Sequence, residues 1–145
     1  MVNEPQTNKP VTILLVDDDD VDVMGVRRAL TKLKIDNLVV RARNGVEALA
    51  LLRTVDAVPS PYMILLDINM PLMNGIEMLS ELRRDEALAK AVVFVLTTSQ
   101  DEQDKVAAYS KNVAGYIVKT HLGDGFVRVM EMLDHYCRVV ELPVK

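Results

Sequence analysis

Five short apolar runs divide the chain: Val11-Thr12-Ile13-Leu14-Leu15-Val16, Leu38-Val39-Val40, Met63-Ile64-Leu65-Leu66, Val92-Val93-Phe94-Val95-Leu96 and Tyr116-Ile117-Val118. A strand with one wet face alternates apolar and polar residues. Most of these runs are continuous instead, the pattern of strands covered on both faces of a parallel sheet. The intervals between them carry helical period. Val23, Val26, Arg27 and Leu30 share a face after the acidic start Asp19–Asp22, which suits a helix N-terminus. Val46, Leu49, Ala50 and Leu52 predict a short second helix, and Ile76, Leu79 and Leu82 a third opened by the turn residues Asn74-Gly75. Asp101 to Lys111 reads as a fourth, with Val106 and Tyr109 as its apolar positions. Phe126, Val129, Met130, Leu133, Cys137 and Val140 space a long fifth. Strands alternating with helices imply right-handed crossovers, hence an α/β chain with a doubly wound parallel sheet.

A chain of 145 residues suits one such domain. The predicted boundaries are a flexible leader over 1–10, the domain over 11–138, and an apolar extension over 139–145. With two Phe, four Tyr and no Trp, the core has to be aliphatic. Seventeen basic against 21 acidic residues give a net charge of −4, which argues against a nucleic-acid-binding surface. The single cysteine, Cys137, cannot close an internal disulfide, and no Cys/His cluster has zinc spacing. No apolar signal core opens the chain, and no apolar run approaches the length of a membrane helix. The expectation is a soluble, cytoplasmic protein.

In an open parallel sheet, ligands bind beyond the carboxyl ends of the strands. The first predicted strand runs into Asp17-Asp18, the third into Asp67, the fourth into Thr97-Thr98-Ser99 and the fifth into Lys119. Three carboxylates, a hydroxyl and an ammonium therefore converge on one rim. Oxygen-only ligands suit a hard cation such as Mg²⁺. Phosphoryl transfer asks for a nucleophilic oxygen, a metal and donors for the remaining phosphoryl oxygens.

Asp17-Asp18, Asp67 within Leu66-Asp67-Ile68-Asn69-Met70-Pro71-Leu72-Met73-Asn74-Gly75, Thr97 and Lys119 together resemble the motif set of the response-regulator receiver family, over roughly residues 11–138. The resemblance implies a flavodoxin-like receiver fold with strand order 2-1-3-4-5. It implies that Asp67 takes a phosphoryl group from the phosphohistidine of a sensor kinase. Asp17, Asp18 and Asp67, with the Asn69 backbone carbonyl, would hold Mg²⁺. Lys119 would pair with Asp67 and then the phosphoryl group, Thr97 would hydrogen-bond a phosphoryl oxygen, and Tyr116 stands at the position of an aromatic switch. The opening Ile13-Leu14-Leu15-Val16-Asp17-Asp18, Asp22 five residues after Asp17, the Leu96-Thr97-Thr98-Ser99 run and the Leu142-Pro143 tail resemble single-domain receivers paired with phytochrome-type histidine kinases. One residue departs from the family: a proline with a cis bond usually follows the lysine, and here it is Thr120. A cis bond there would cost about 2.5–4 kcal/mol, so either the loop enforces it or the bond is trans.

Plainer readings stand beside these. Asp19, Asp20 and Asp22 read as helix-capping and dipole-complementing residues. Tyr116 could equally be a packing aromatic. His121 and His135 read as surface residues, Cys137 as a small core or interface hydrophobe, and the methionines as aliphatic filling. A second functional class also fits part of the pattern. Val16-Asp17-Asp18-Asp19-Asp20-Val21 satisfies the Asp-x-Asp-x-Val motif of haloacid-dehalogenase-type phosphatases, with Asp17 as nucleophile, Asp19 as acid/base, and Thr97 and Lys119 as phosphate binders. That reading needs a further acidic motif, for which Asp124 is a poor substitute, and it leaves Asp67 unexplained. The favoured expectation is a free-standing, non-enzymatic receiver that signals by protein contact or phosphorelay. A homodimer is expected through the last helix and the apolar tail, with Tyr136 and Leu142 at the contact.

Overall fold

A computed structural model describes residues 10–121 and 125–143. Among the described residues strands and α-helices alternate: β1 Thr12–Val16, α1 Asp20–Lys32, β2 Val39–Ala42, α2 Gly45–Leu52, β3 Tyr62–Leu66, α3 Gly75–Arg84, β4 Val92–Thr97, α4 Glu102–Ser110, β5 Gly115–Val118 and α5 Val127–Val139. The strands form one parallel sheet in the order β2-β1-β3-β4-β5, as expected. The predicted leader, apart from Pro10, lies outside the described residues, as does Val144 of the tail.

The central strands are apolar throughout because both of their faces are covered. Leu14, Val16, Ile64, Leu66, Val93 and Val95 point toward α2 and α3, where they meet Leu49, Met78, Leu79 and Leu82. The alternate set, Ile13, Leu15, Met63, Leu65, Phe94 and Leu96, meets Val23, Val26, Ala29 and Leu30 of α1 and Val129, Met130 and Leu133 of α5. Burying each such side chain contributes about 1.5–3 kcal/mol, so the sheet is the mechanical centre of the domain.

Two helices bury smaller residues than their apolar positions predict, although Leu49 of α2 is buried as expected. On α2 the buried residues are Gly45, Ala48 and Leu49, while Val46 is 52% exposed. On α4 only Ala108 is buried, and Val106 and Tyr109 face solvent. Both helices are short, and small residues set their inner faces; a search for large apolar side chains passes over them.

The first turns of α1, α2, α3 and α4 are each closed by a side chain. Asp19 caps α1, accepting from the Val21 N–H. Asn74 and Glu77 form a reciprocal capping box at α3. At the other end of α3, the Arg83 guanidinium donates to the carbonyls of Lys111, Ala89, Ala91 and Asn112. These bonds join α3 to the segments that lead into β4 and β5. The tail turns back on its own domain in part, with Leu142 packed against the α1/α5 core, and within α5 Tyr136 meets Phe94 edge to face, with ring centres 5.1 Å apart. Val139 stays 80% exposed.

Candidate functional site

Strand register builds the site. Val16 pairs with Leu66, so the next residues, Asp17 and Asp67, leave the sheet side by side. Thr97 pairs with Val118, which places Lys119 beside them at the end of β5. Asp17 is 1% exposed, Asp67 7% and Thr97 0%, unusual burial for polar groups and costly unless they are paired.

Each buried carboxylate divides its two oxygens in the same way. Oδ1 of Asp17 accepts from the Asp19 N–H at 2.9 Å, and Oδ1 of Asp67 from the Asn69 N–H at 3.1 Å. Each Oδ2 is left for the Lys119 ammonium, at 2.9 Å from Asp17 and 3.3 Å from Asp67. A third carboxylate, Asp22, takes the remaining ammonium hydrogen at 2.5 Å. Oxygens of Asp17, Asp22 and Asp67 lie within 4.8 Å of one another. With all three ionised against one ammonium, the cluster carries an excess of two negative charges, a match for a divalent cation.

Burial, partly offset by the Asp19 N–H and by Lys119, pushes the Asp17 carboxyl up to about 6 from its ordinary 3.8. Such a carboxyl binds its proton more tightly folded than unfolded. Its contribution to stability is present below pH 4 and is lost as pH rises through about 6. Burial alone would push the Lys119 ammonium down, but the hydrogen bonds to Asp22 and Asp17 and the neighbouring carboxylate charges outweigh it and hold it above its usual value.

Beyond the cluster, the Thr97 hydroxyl accepts from the Ser99 N–H at 3.3 Å, and the Ser99 carbonyl accepts from the Tyr116 hydroxyl at 3.0 Å. The Ser99 hydroxyl donates to Asp104 in the first turn of α4. Tyr116 is therefore tied, half-buried, to the loop that follows Thr97. Gly75 lies against the end of β3: a Cβ there would stand 2.6 Å from the Asp67 carbonyl oxygen and 2.8 Å from Ile68 Cα. Among the described residues the one cis peptide is Ser60–Pro61, so Lys119–Thr120 is trans, within a 3₁₀ turn over Lys119–His121.

The structure brings Asp17, Asp67 and Lys119 into contact, and places Thr97 and Tyr116 on the same rim, both bonded to Ser99. Asn69 is exposed and reaches Asp67 through its N–H. Asp18 is exposed and lies outside the carboxylate trio. Asp22, read from the sequence as a helix-start residue, lies inside it. The periodicity contained this placement: Asp22, Val26, Ala29 and Leu30 fall at i, i+4, i+7 and i+8, the face of α1 that is buried. The Asp19 carboxylate of the phosphatase reading is exposed and spent on capping α1, while Asp67 occupies the cluster. Asp124 lies outside the described residues.

A buried acidic pair beside a lysine, on the carboxyl rim of a 2-1-3-4-5 sheet, defines a class, and comparison with known proteins agrees. Residues 13–129 match the family model described as response regulator receiver domain, and the chain belongs to that family. It is 35% identical over 142 residues to response regulator Rcp1 of Synechocystis sp., an alignment covering 95% of this chain and 97% of the relative. The crystal structure of the Mn²⁺-bound form of Rcp1 superposes with a TM-score of 0.81, covering 93% of this chain and 100% of that one. The phosphorylated cyanobacterial phytochrome response regulator RcpA superposes equally well, with a TM-score of 0.81, 29% identity, and coverage of 94% and 100%. These relatives lend no support to the phosphatase reading.

Proposed function

We propose that this receiver accepts a phosphoryl group on Asp67 from the phosphohistidine of a sensor histidine kinase of the phytochrome type. The observation that carries the reading is the arrangement of Asp67, with Oδ2 turned into the site and Oδ1 held by a backbone N–H. A carboxylate oxygen of Asp67 forms the new bond to phosphorus as the phosphorus–nitrogen bond breaks, and its electron pair leaves with the imidazole. Asp17, Asp18 and Asp67, with the Asn69 carbonyl, would hold Mg²⁺, whose charge would neutralise the oxygens of the transferring group. Lys119 supplies donors to the phosphoryl group, and the Thr97 hydroxyl turns from Ser99 toward a phosphoryl oxygen. Movement of that loop releases the Tyr116 hydroxyl from Ser99, which presents an altered α4–β5 face to a partner. The chain catalyses its own phosphorylation and slow dephosphorylation and turns over no external substrate.

Beryllofluoride, a mimic of the phosphoryl group on a carboxylate, tests this reading. It is expected to bind only with Mg²⁺ or Mn²⁺ present. Without the cation its negative charge meets the Asp17 and Asp22 carboxylates, at about 4 kcal/mol per pair for 4 Å separation and an effective dielectric near 20. Equal binding in excess chelator would remove the metal assignment.

The likeness to RcpA and Rcp1 supports a relay built on one domain, and pairing of two copies through α5 belongs to the same proposal. Leu142 and Tyr136 are engaged within the chain, so the strip left for a second copy is Met132, Val139 and Val140, 40%, 80% and 39% exposed. Sedimentation of the full chain and of a chain ending at Cys137 is expected to show a dimer and a monomer respectively. Two monomers, or two dimers of equal strength, would exclude the tail.

A further inference from the structure

Lys119 has three N–H donors, and the structure gives each a carboxylate. The three acceptors are not equivalent. Oδ2 of Asp17 and of Asp67 are oxygens that a divalent cation and a phosphoryl group would claim. Asp22 lies within 4.8 Å of both but differs from them: it comes from the first turn of α1, not from a strand end. Lys119 is the one polar partner of its carboxylate among the described contacts, whereas Asp17 and Asp67 each also accept from a backbone N–H. The lysine side chain is 9% exposed and that of Asp22 18%, so water is a poor substitute for either. When the two strand-end carboxylates are taken up, Asp22 is the acceptor that remains.

We propose that Asp22 is a positioning residue that anchors Lys119 while a cation and a phosphoryl group occupy the rim. The ammonium keeps one bond to Asp22 and swings its other two donors from the strand-end oxygens to the phosphoryl oxygens. Anchoring removes most of the rotamer freedom of a four-carbon stem before the phosphoryl group arrives, so that freedom is not lost on binding. Electrostatics alone makes the opposite prediction: Asp22 places negative charge near an anion, and neutralising it would tighten anion binding. The two effects differ in sign.

The inference rests on the phosphoryl-acceptor reading, and its test uses beryllofluoride at saturating Mg²⁺, with saturation verified for each protein. Four full-length proteins are compared: wild type, Asp22→Asn, Lys119→Gln and the double variant, each checked by thermal melting for a retained fold. Asp22→Asn is expected to bind beryllofluoride about fivefold more weakly than wild type, the scale of ordering one long side chain. In the Lys119→Gln background the same substitution is expected to leave binding unchanged or to tighten it. Unchanged or tighter binding by the single Asp22→Asn variant would overturn the proposal, leaving Asp22 as plain negative charge. Equal weakening in both backgrounds would also overturn it, because Asp22 would then act without the lysine. A wild type that binds no beryllofluoride with Mg²⁺ would overturn the acceptor reading, and this inference with it.

Discussion

Asp67→Asn is expected to reduce phosphoryl uptake from acetyl phosphate or a kinase by at least about 10³-fold, the scale on which removal of a nucleophile acts. The substitution is close to isosteric. The amide oxygen can still accept from the Asn69 N–H, so the turn after β3 keeps its shape. The lost group is the Oδ2 anion, the atom that faces Lys119 at 3.3 Å. If the amide oxygen keeps the Asn69 bond, two nitrogen donors face each other there, which favours neither Lys119 nor a phosphoryl group. Radiolabel retained on the protein, measured beside Asp17→Asn, decides the matter. Labelling of Asp67→Asn at the wild-type rate, with none on Asp17→Asn, would move the nucleophile to Asp17 and revive the phosphatase reading.

Gly75→Ala is expected to destabilise the protein by about 1–3 kcal/mol, the range for forcing a methyl group into a packed site. Alanine is the better helix former by about 1 kcal/mol, so propensity alone argues for stabilisation. The contacts decide the sign. The atoms that a Cβ would strike, the Asp67 carbonyl oxygen at 2.6 Å and Ile68 Cα at 2.8 Å, are backbone and cannot swing aside as a side chain could. Relief requires the start of α3 to move away from the end of β3, which weakens the Gly75 N–H bond to the Ile68 carbonyl. Because Asp67 lies on the strained segment, beryllofluoride affinity is expected to fall together with the urea midpoint. A variant as stable as wild type would mean that the loop relaxes at little cost.

The sheet was legible because parallel strands covered on both faces leave a sequence mark that survives without knowledge of the partners. The same logic misjudged α2 and α4, where Ala48 and Ala108, not Val46 and Val106, face the core. Side-chain size and helical phase disagree there, and phase decides which residues face the sheet. The site was legible wherever a residue sat at a strand end, since topology alone brings Asp17, Asp67, Thr97 and Lys119 to one rim. Asp22 belongs to a helix, and only the turn of α1 relative to β1 carries it inward. Asp18 follows Asp17 directly in the chain, but the backbone turns it outward to solvent. The replacement of the usual proline by Thr120 left the preceding bond open from sequence, and the structure resolves it as trans.

The Arg83 fork makes the two ends of the domain unequal in stiffness. Its guanidinium ties four backbone carbonyls at the amino ends of β4 and β5, a clasp of rigid, charge-assisted bonds that a lysine could not reproduce. The opposite rim is held by side chains that can exchange partners, and local opening free energies follow such differences in backbone restraint. A disturbance that begins at Asp67 therefore meets a clamped floor below and a yielding edge beside it. Under the proposed reading its open path would be lateral, along the hydrogen bonds that join Thr97, the Ser99 loop and Tyr116, with the base of the sheet held in place.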